Sequence, residues 1–285
     1  LVLRLLERGA DVVVLDNLKR SSDATAKKLE RAGVRVVTDD IRDYDSVLAA
    51  AHGCETVFHL AAQSNVMGAI EDPNYSVTTN VLGTFNVLRA SAEANVGQVV
   101  FTSSREVYGE ATVLPVREDH PLLAKNPYGA SKLAGEAYCR TFANTHKLAV
   151  RVVRLANVYG PGDSGRVIPL WLTAAQQGHD IKVYGGEQVI DFLWVGTAVD
   201  ALLHAAAHEL PGPVNIGSGR GTKIMELADR VLEVTKTRVK VLRTPAREIE
   251  VAKFVADVGV MRSLGLAPED DPLQHLAELV DAYRP

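Results

Sequence analysis

The sequence predicts an α/β chain built on a doubly wound parallel sheet, and three observations predict it. Strand-like and helix-like segments alternate through the first half of the chain. The strand segments are continuous apolar runs rather than alternating ones, as strands covered on both faces require. Polar residues cluster where several of these runs end, the edge at which such sheets bind ligands.

Each element follows in order. LVLRLLERGA reads as the latter part of a helix closed by Gly9, so a preceding segment is expected. Asp11–Asp16 (DVVVLD) is the first strand, Asp23–Ala32 a helix ended by Gly33, and Arg35–Asp39 the second strand. A short helix over Tyr44–Ala51 precedes Gly53, and Thr56–Ala61 is the third strand. Pro73 suits a first helical turn, and a long helical stretch runs from it to about Asn95. Gln98–Ser103 is the fourth strand, Tyr128–His146 a second long helix, and Ala149–Leu155 a further strand. Beyond Gly160-Pro161-Gly162 the rhythm changes to short elements and Gly-rich turns (Gly185-Gly186, Gly217–Gly221), the pattern of a smaller lobe over the strand ends. Residues 1–160 and 161–285 are the expected domains, with some segments crossing back.

A chain of 285 residues buries a sizeable core without staples. Net charge is −4 with both signs interspersed and no basic stripe, which gives no support to a nucleic-acid partner. No apolar stretch is long enough to span a bilayer, and no signal peptide is evident. Cys54 and Cys139 form neither a disulfide framework nor a metal cluster, so no metal is expected and a reducing cytoplasm is the default home.

Tyr128-Gly-Ala-Ser-Lys132 carries the sharpest chemistry. Its phenol and ammonium stand four residues apart, on one helical face. A neighbouring ammonium favours the phenolate and lowers its pKa from about 10 toward neutrality. That makes a base fit for a sugar hydroxyl. The same spacing also arises as a surface tyrosine beside a solvated lysine, so context decides. The context is Ser103-Ser104-Arg105-Glu106-Val107-Tyr108-Gly109, at the carboxyl end of the fourth strand.

Strand-SSxxVYG, then PYGASK, RLANVYGPG and NIGSG, in that order, resemble the extended short-chain dehydrogenase/reductase family of nucleotide-sugar epimerases, dehydratases and decarboxylases. The resemblance covers essentially the whole chain. It implies a Rossmann-like NAD-binding domain and a nucleotide-sugar-binding lobe. It implies that Ser104 hydrogen-bonds the hydroxyl on carbon 4 of the sugar, that Tyr128 removes its proton, and that Lys132 holds the nicotinamide ribose and tunes Tyr128. Carbon 4 then gives its hydride to NAD⁺ and takes it back.

Asp16 ends the first strand, where a carboxylate accepts hydrogen bonds from the adenosine ribose and repels a 2′-phosphate. A turn or capping role is the competing reading, and Lys19 and Arg20 leave room for NADP. The family pattern adds Asn17, Asp40 and Ile41 near the adenosine. It places Leu60, Ala61, Ala62 and Ser64 near the pyrophosphate, Asn80 behind the strand-end loop, and Ser103 and Leu155 at strand ends. On the substrate side it implies Asn157 and Arg247 on the diphosphate, Glu250 on the nucleotide ribose, and Arg166 and Val167 flanking the uridine, with Tyr184 a further substrate-binding candidate. An Arg fork suits phosphate oxygens.

Three departures from the family pattern stand out. The glycine-rich dinucleotide loop and the first strand, which the family sets before a helix like LVLRLLERG, are not in the sequence; an omitted start is the expected reason. Ile190 stands where a second diphosphate-binding Arg is usual, and Thr197 where an Asp is usual. Arg105 and Glu106 replace the small residues of simple epimerases. Glu106 resembles the dehydratases and uronate decarboxylases, where it takes part in chemistry at carbons 5 and 6. Arg105 is placed to pair with a sugar carboxylate, unless it simply pairs with Glu106.

The expected activity is 4-epimerisation of a UDP-hexose, UDP-glucuronate or UDP-glucose. UDP-glucuronate decarboxylation and 4,6-dehydration are the alternatives within the family, and a non-catalytic sensor of NAD or sugar nucleotide the alternative outside it. A homodimer through the two long helices is expected, with Val87, Ala90, Ala94, Ala137 and Phe142 candidates for its apolar stripe.

Overall fold

The computed structural model describes Leu1–Arg284; Pro285, the end of the expected second lobe, lies outside the described residues. In chain order the elements are α1 (Val2–Glu7), β1 (Val13–Asp16), α2 (Asp23–Arg31), β2 (Arg35–Thr38), α3 (Tyr44–Ala51) and β3 (Thr56–His59). Then come α4 (Val66–Glu71), α5 (Pro73–Val77), a π turn (Thr78–Gly83), α6 (Thr84–Glu93), β4 (Gln98–Ser104) and a 3-10 turn (Arg105–Val107). α7 (Pro127–His146), β5 (Ala149–Leu155), β6 (Asn157–Tyr159), α8 (Val167–Gln176), β7 (Ile181–Tyr184), β8 (Val189–Ile190) and β9 (Phe192–Trp194) follow. The chain ends in α9 (Val195–Ala207), β10 (Val214–Ile216), β11 (Thr222–Lys223), α10 (Ile224–Thr235), β12 (Val241–Thr244), α11 (Gly259–Ser263) and α12 (Leu279–Ala282).

Two compact units divide the chain, and no single boundary near residue 160 separates them. The first comprises 1–103, 127–153 and 202–213; the second comprises 104–126, 154–201 and 214–285.

In the first unit β1 pairs parallel with β2 (Val13↔Arg35) and β3 parallel with β4 (Thr56↔Gln98). Val99, Val100 and Phe101 are all fully buried, so β4 is covered on both faces, as its unbroken apolar run requires. One core cluster joins Leu88, Val99, Phe101, Cys139, Phe142 and Leu148; another joins Ile41, Val47, Val87 and Ala90. Helix starts are fixed by local chemistry. Asp43 accepts from Ser46 N–H (2.9 Å) at α3, and Asp72 accepts from Tyr75 N–H (2.9 Å) ahead of Pro73 at α5.

The long stretch expected from Pro73 is two helices joined by the π turn, with the unforeseen α4 before them. Gly83 in that turn lets Ile41 approach, since a Cβ there would lie 2.5 Å from Ile41 Cδ1. The expected outer stripe is corrected. Val87, Ala90 and Phe142 are buried in the core, because α6 packs against both α3 and α7. Ala137 is exposed, and between α5 and α7 the exposed large apolar side chains on these helices and the π turn include Val77, Leu82 and Tyr138.

In the second unit β6 pairs parallel with β9, β7 parallel with β12, and β8 antiparallel with β11. Its core gathers Leu172, Ile181, Val183, Phe192, Leu227 and Val231 under α8 and α10. Asp191 is fully buried and accepts from Ser218 N–H (2.7 Å), Ser218 Oγ (2.6 Å), Gly219 N–H (3.1 Å) and Ala256 N–H (3.0 Å). Burial raises its pKa, against the pull of those four donors. Tyr108 Oη donates to Asn215 Oδ1 (2.6 Å) and accepts from Arg154 Nη1 (2.8 Å). The VYG, RLANVYG and NIGSG motifs are therefore partly one structural network. Among the described residues no helix is long and apolar enough to cross a membrane.

Candidate active site

In the first unit a cleft of about 220 Å³ opens at the ends of β1 and β3. Asp16, Asn17, Ile41, Leu60, Ala61, Ala62 and Ser64 line it, all residues expected to hold the cofactor. Asp16 Oδ1 accepts from Leu18 N–H (2.7 Å) and Ser21 Oγ (2.8 Å). The turn folds back on the carboxylate, with Leu18 in the left-handed region at φ 55°. Asn17 Nδ2 donates to Asp40 Oδ2 (2.8 Å). Arg42 grips the same carboxylate through Nε (2.9 Å) and Nη2 (2.8 Å), which holds the Asp40 carboxyl down at about 2. Tyr75 was not foreseen. It lines the cleft with Lys19 Nζ 3.3 Å over its ring, and it comes from α5, far from the cleft in sequence. Lys19, the cation that left room for NADP, is thus held on an aromatic face. A carboxylate beside small and apolar residues fits the adenosine half of a dinucleotide.

The same unit carries Tyr128 and Lys132. Tyr128 and Lys132 lie in the first turns of α7, Tyr128 half-buried and Lys132 4% exposed. Gly135 seats the helix on β4, since a Cβ there would lie 2.6 Å from Phe101 Cζ. Lys132 Nζ reaches over to donate to the Thr102 carbonyl (2.8 Å). Burial lowers its pKa to about 8. Asn80 bonds Gln63 through both amide atoms (2.7 and 3.0 Å) and donates to Ser131 Oγ (2.9 Å), which donates to Tyr128 O (2.7 Å). It braces the loop after β3 against the first turns of α7. Ser103 points elsewhere than a cofactor role implies, since its hydroxyl donates to Glu136.

Apart from Tyr128, the residues expected to meet the substrate lie in the second unit. Ser104 caps the 3-10 turn, accepting from Glu106 N–H (3.2 Å). Arg105 is engaged by its neighbours in the protein. Its Nη2 lies 2.8 Å from Glu106 Oε1, and its Nε donates to Asn157 Oδ1 (2.6 Å). Glu106 is buried, and its second oxygen accepts from Asn126 Nδ2 (2.7 Å). Glu106 and the Asn157 oxygen are thereby engaged by protein rather than offered to ligand. Two buried groups of opposite charge at adjacent positions satisfy each other before anything else.

Arg247, Glu250 and Tyr184 lie together. The Arg247 guanidinium stacks 3.8 Å over the Tyr184 ring and bonds Glu250 Oε1 (3.1 Å). Arg166 bonds Val158 O (3.3 Å) and stands before Val167 at the start of α8. Leu155 ends β5. Ile190 joins the apolar core, and Thr197 donates its hydroxyl to Glu269. Among the described residues no group of three or more His, Cys, Asp and Glu is placed to hold a metal.

Residues 1–217 match the family described as NAD dependent epimerase/dehydratase family. The chain is 33% identical over 290 residues to a putative UDP-glucose 4-epimerase of Methanocaldococcus jannaschii, covering 99% of this chain and 93% of that one. It superposes on a UDP-glucose 4-epimerase of Thermotoga maritima solved with UDP-glucose, with a TM-score of 0.93 and 30% identity over 99% of this chain and 93% of the other. A UDP-glucose 4-epimerase of Thermus thermophilus solved with NAD gives a TM-score of 0.91 and 30% identity, over 99% and 94%.

Proposed function

The chain belongs to the NAD-dependent epimerase/dehydratase family, and from that premise we propose that it inverts carbon 4 of a UDP-hexose, with UDP-glucose as the leading substrate. The observation that carries this reading is the pairing of Tyr128 and Lys132 on one seated helix, with Lys132 a buried ammonium. The phenolate of Tyr128 takes the proton of the carbon 4 hydroxyl. Lys132 stabilises that phenolate by its charge, and Ser104 orients the hydroxyl. The cleft lined by Asp16, Ile41 and Ala61 would hold NAD, which would supply reversible hydride acceptance for carbon 4. Tyr128 then gives the proton back, so protons and electrons balance over a cycle. Arg247 and Asn157 hold the diphosphate, Glu250 the ribose, and Arg166, Val167 and Tyr184 flank the base.

Epimerisation is favoured over dehydration and decarboxylation by the state of Glu106. Both its oxygens have protein donors, which supports a structural task over one at carbons 5 and 6. The same pairing weakens the case for a uronate. The test is incubation of the full-length protein with UDP-glucose and with UDP-glucuronate, followed by NMR. A 4-epimer is expected from UDP-glucose. A stable 4-keto-6-deoxy sugar, or a pentose with carbon dioxide, would replace this reading by one of the alternatives.

A cytoplasmic homodimer is part of the proposal. The exposed Val77, Leu82 and Tyr138 mark the face for a second copy, and fractionation with light scattering at micromolar concentration tests both parts.

A further inference from the structure

Helix α7 carries a second buried ionisable group, to which the proposed chemistry gives no task. Glu136 lies one turn beyond Lys132, where residues four apart are neighbours on one helical face. It is 8% exposed, and Ser103 Oγ donates to its Oε1. Two consecutive residues of β4 thus meet two residues one turn apart on α7. The Thr102 carbonyl takes the ammonium, and the Ser103 hydroxyl takes the carboxylate.

We propose that Glu136 is a positioning residue, the buried counter-charge that keeps Lys132 an ammonium, with Ser103 fixing its carboxylate. The proposal rests on the reading of Tyr128 as base. A buried ammonium without a compensating charge tends to give up its proton, and a neutral Lys132 no longer favours the phenolate.

The groups facing Lys132 are His59 from β3, the Phe101 ring and Thr102 carbonyl from β4, and Glu136 and Cys139 from α7, with Tyr128 one turn earlier on the same helix. Burial pushes His59 down to about 3, so its imidazole is neutral, with Nε2 on the Thr84 hydroxyl (2.8 Å). Burial pushes the Cys139 thiol up to about 12, so it supplies no charge near neutrality. The Phe101 face, 5.0 Å away, offers only a weak attraction. Among these side chains, the Glu136 carboxylate is the anion available to oppose the burial that lowers Lys132.

Carbon-13 NMR of the full-length protein labelled at lysine Cε, with the Lys132 resonance assigned by its loss in Lys132→Met, reads the proton directly. Glu136→Gln keeps the shape and a carbonyl acceptor for Ser103 but removes the charge. It is expected to lower the Lys132 midpoint by about one pH unit. The alkaline limb of kcat with UDP-glucose should move down by the same amount, while kcat well below both midpoints changes little. Ser103→Ala unties the carboxylate and should give a smaller shift of the same sign. A midpoint unchanged in Glu136→Gln, or an activity loss equal at every pH, overturns the proposal. Should Glu136→Gln not fold, an unchanged midpoint in Ser103→Ala overturns it. The titration needs no substrate. Failure of the wild type to epimerise any UDP-hexose would therefore sink the proposed function and leave the charge relation to be judged by the titration.

Discussion

Lys132 and Arg105 are both largely buried cations on chemistry-bearing motifs, one in each compact unit, and they are held in opposite ways. Lys132 donates to a neutral carbonyl at 2.8 Å, and burial drags its pKa to about 8. Arg105 bonds a carboxylate at 2.8 Å and an amide oxygen at 2.6 Å, with the Phe254 ring 5.7 Å away. Lysine changes its proton readily when buried, whereas a guanidinium stays charged and spends its planar fork on fixed acceptors. The difference separates a group poised to take part in proton chemistry from one committed to fixed partners in its own unit.

The largest expected effect removes the base beside the poised cation. Tyr128→Phe should cut kcat by about 10²- to 10⁴-fold, the usual worth of a positioned general base, with the melting temperature little changed. A variant retaining more than a tenth of the rate would dissolve the contrast, because Lys132 would then have no phenolate to serve.

Arg105→Ala attacks the other side. It strips Glu106 of its ion-pair partner, leaving Asn126 alone, and should cost about 3 kcal/mol of stability in urea unfolding. It should leave the ratio of kcat/KM for UDP-glucuronate over UDP-glucose within about threefold. A fall of tenfold or more in that ratio would mean that Arg105 leaves Glu106 to meet a sugar carboxylate, worth about 1.4 kcal/mol or more.

His59 extends the comparison to a group held neutral by burial. Its folded-state pKa is about 3 against 6.5 unfolded, so between those values the unfolded chain binds a proton that the folded one refuses. Its contribution is complete above pH 6.5 and declines as pH falls toward 3, by roughly 1.4 kcal/mol per unit at most. His59→Gln should flatten the acid side of the stability profile in that window. An unaltered slope would show that His59 is not held neutral.

The smallest effect concerns Tyr184→Ala. Losing the ring under Arg247 should raise KM for UDP-glucose by about two- to fivefold, the worth of a partly exposed cation–π contact, with kcat unchanged. A drop in kcat instead would place Tyr184 in the chemistry rather than in nucleotide binding.

Much of the first unit was legible because its signals are local. Period and composition located β1 to β5 to within a few residues, and Tyr128 and Lys132 share a helix because four residues make about one turn. Strand ends also pointed to the cleft, through Asp16 and Leu60–Ala62. The dimer stripe was misplaced because α6 has helices on two sides, so Val87 and Ala90 serve the core rather than the surface. Periodicity finds an apolar face without saying what lies against it. Tyr75 was missed for a related reason, since nothing in α5 itself announces the cleft.

What the chain's residue order settled is the architecture and the helical spacing of the candidate groups Tyr128 and Lys132, because strand–helix alternation, capping residues and helical spacing act over a few residues at a time. What only folding decided is which charges are spoken for. Arg105 and Glu106 are adjacent, and either could have faced a ligand. Asn126 and Asn157, 20 residues beyond Glu106 and 52 beyond Arg105, complete a buried set in which both charges already have partners. In a medium that solvates charge poorly, such partners arrive through the tertiary fold, and their choice cannot be read from neighbouring letters.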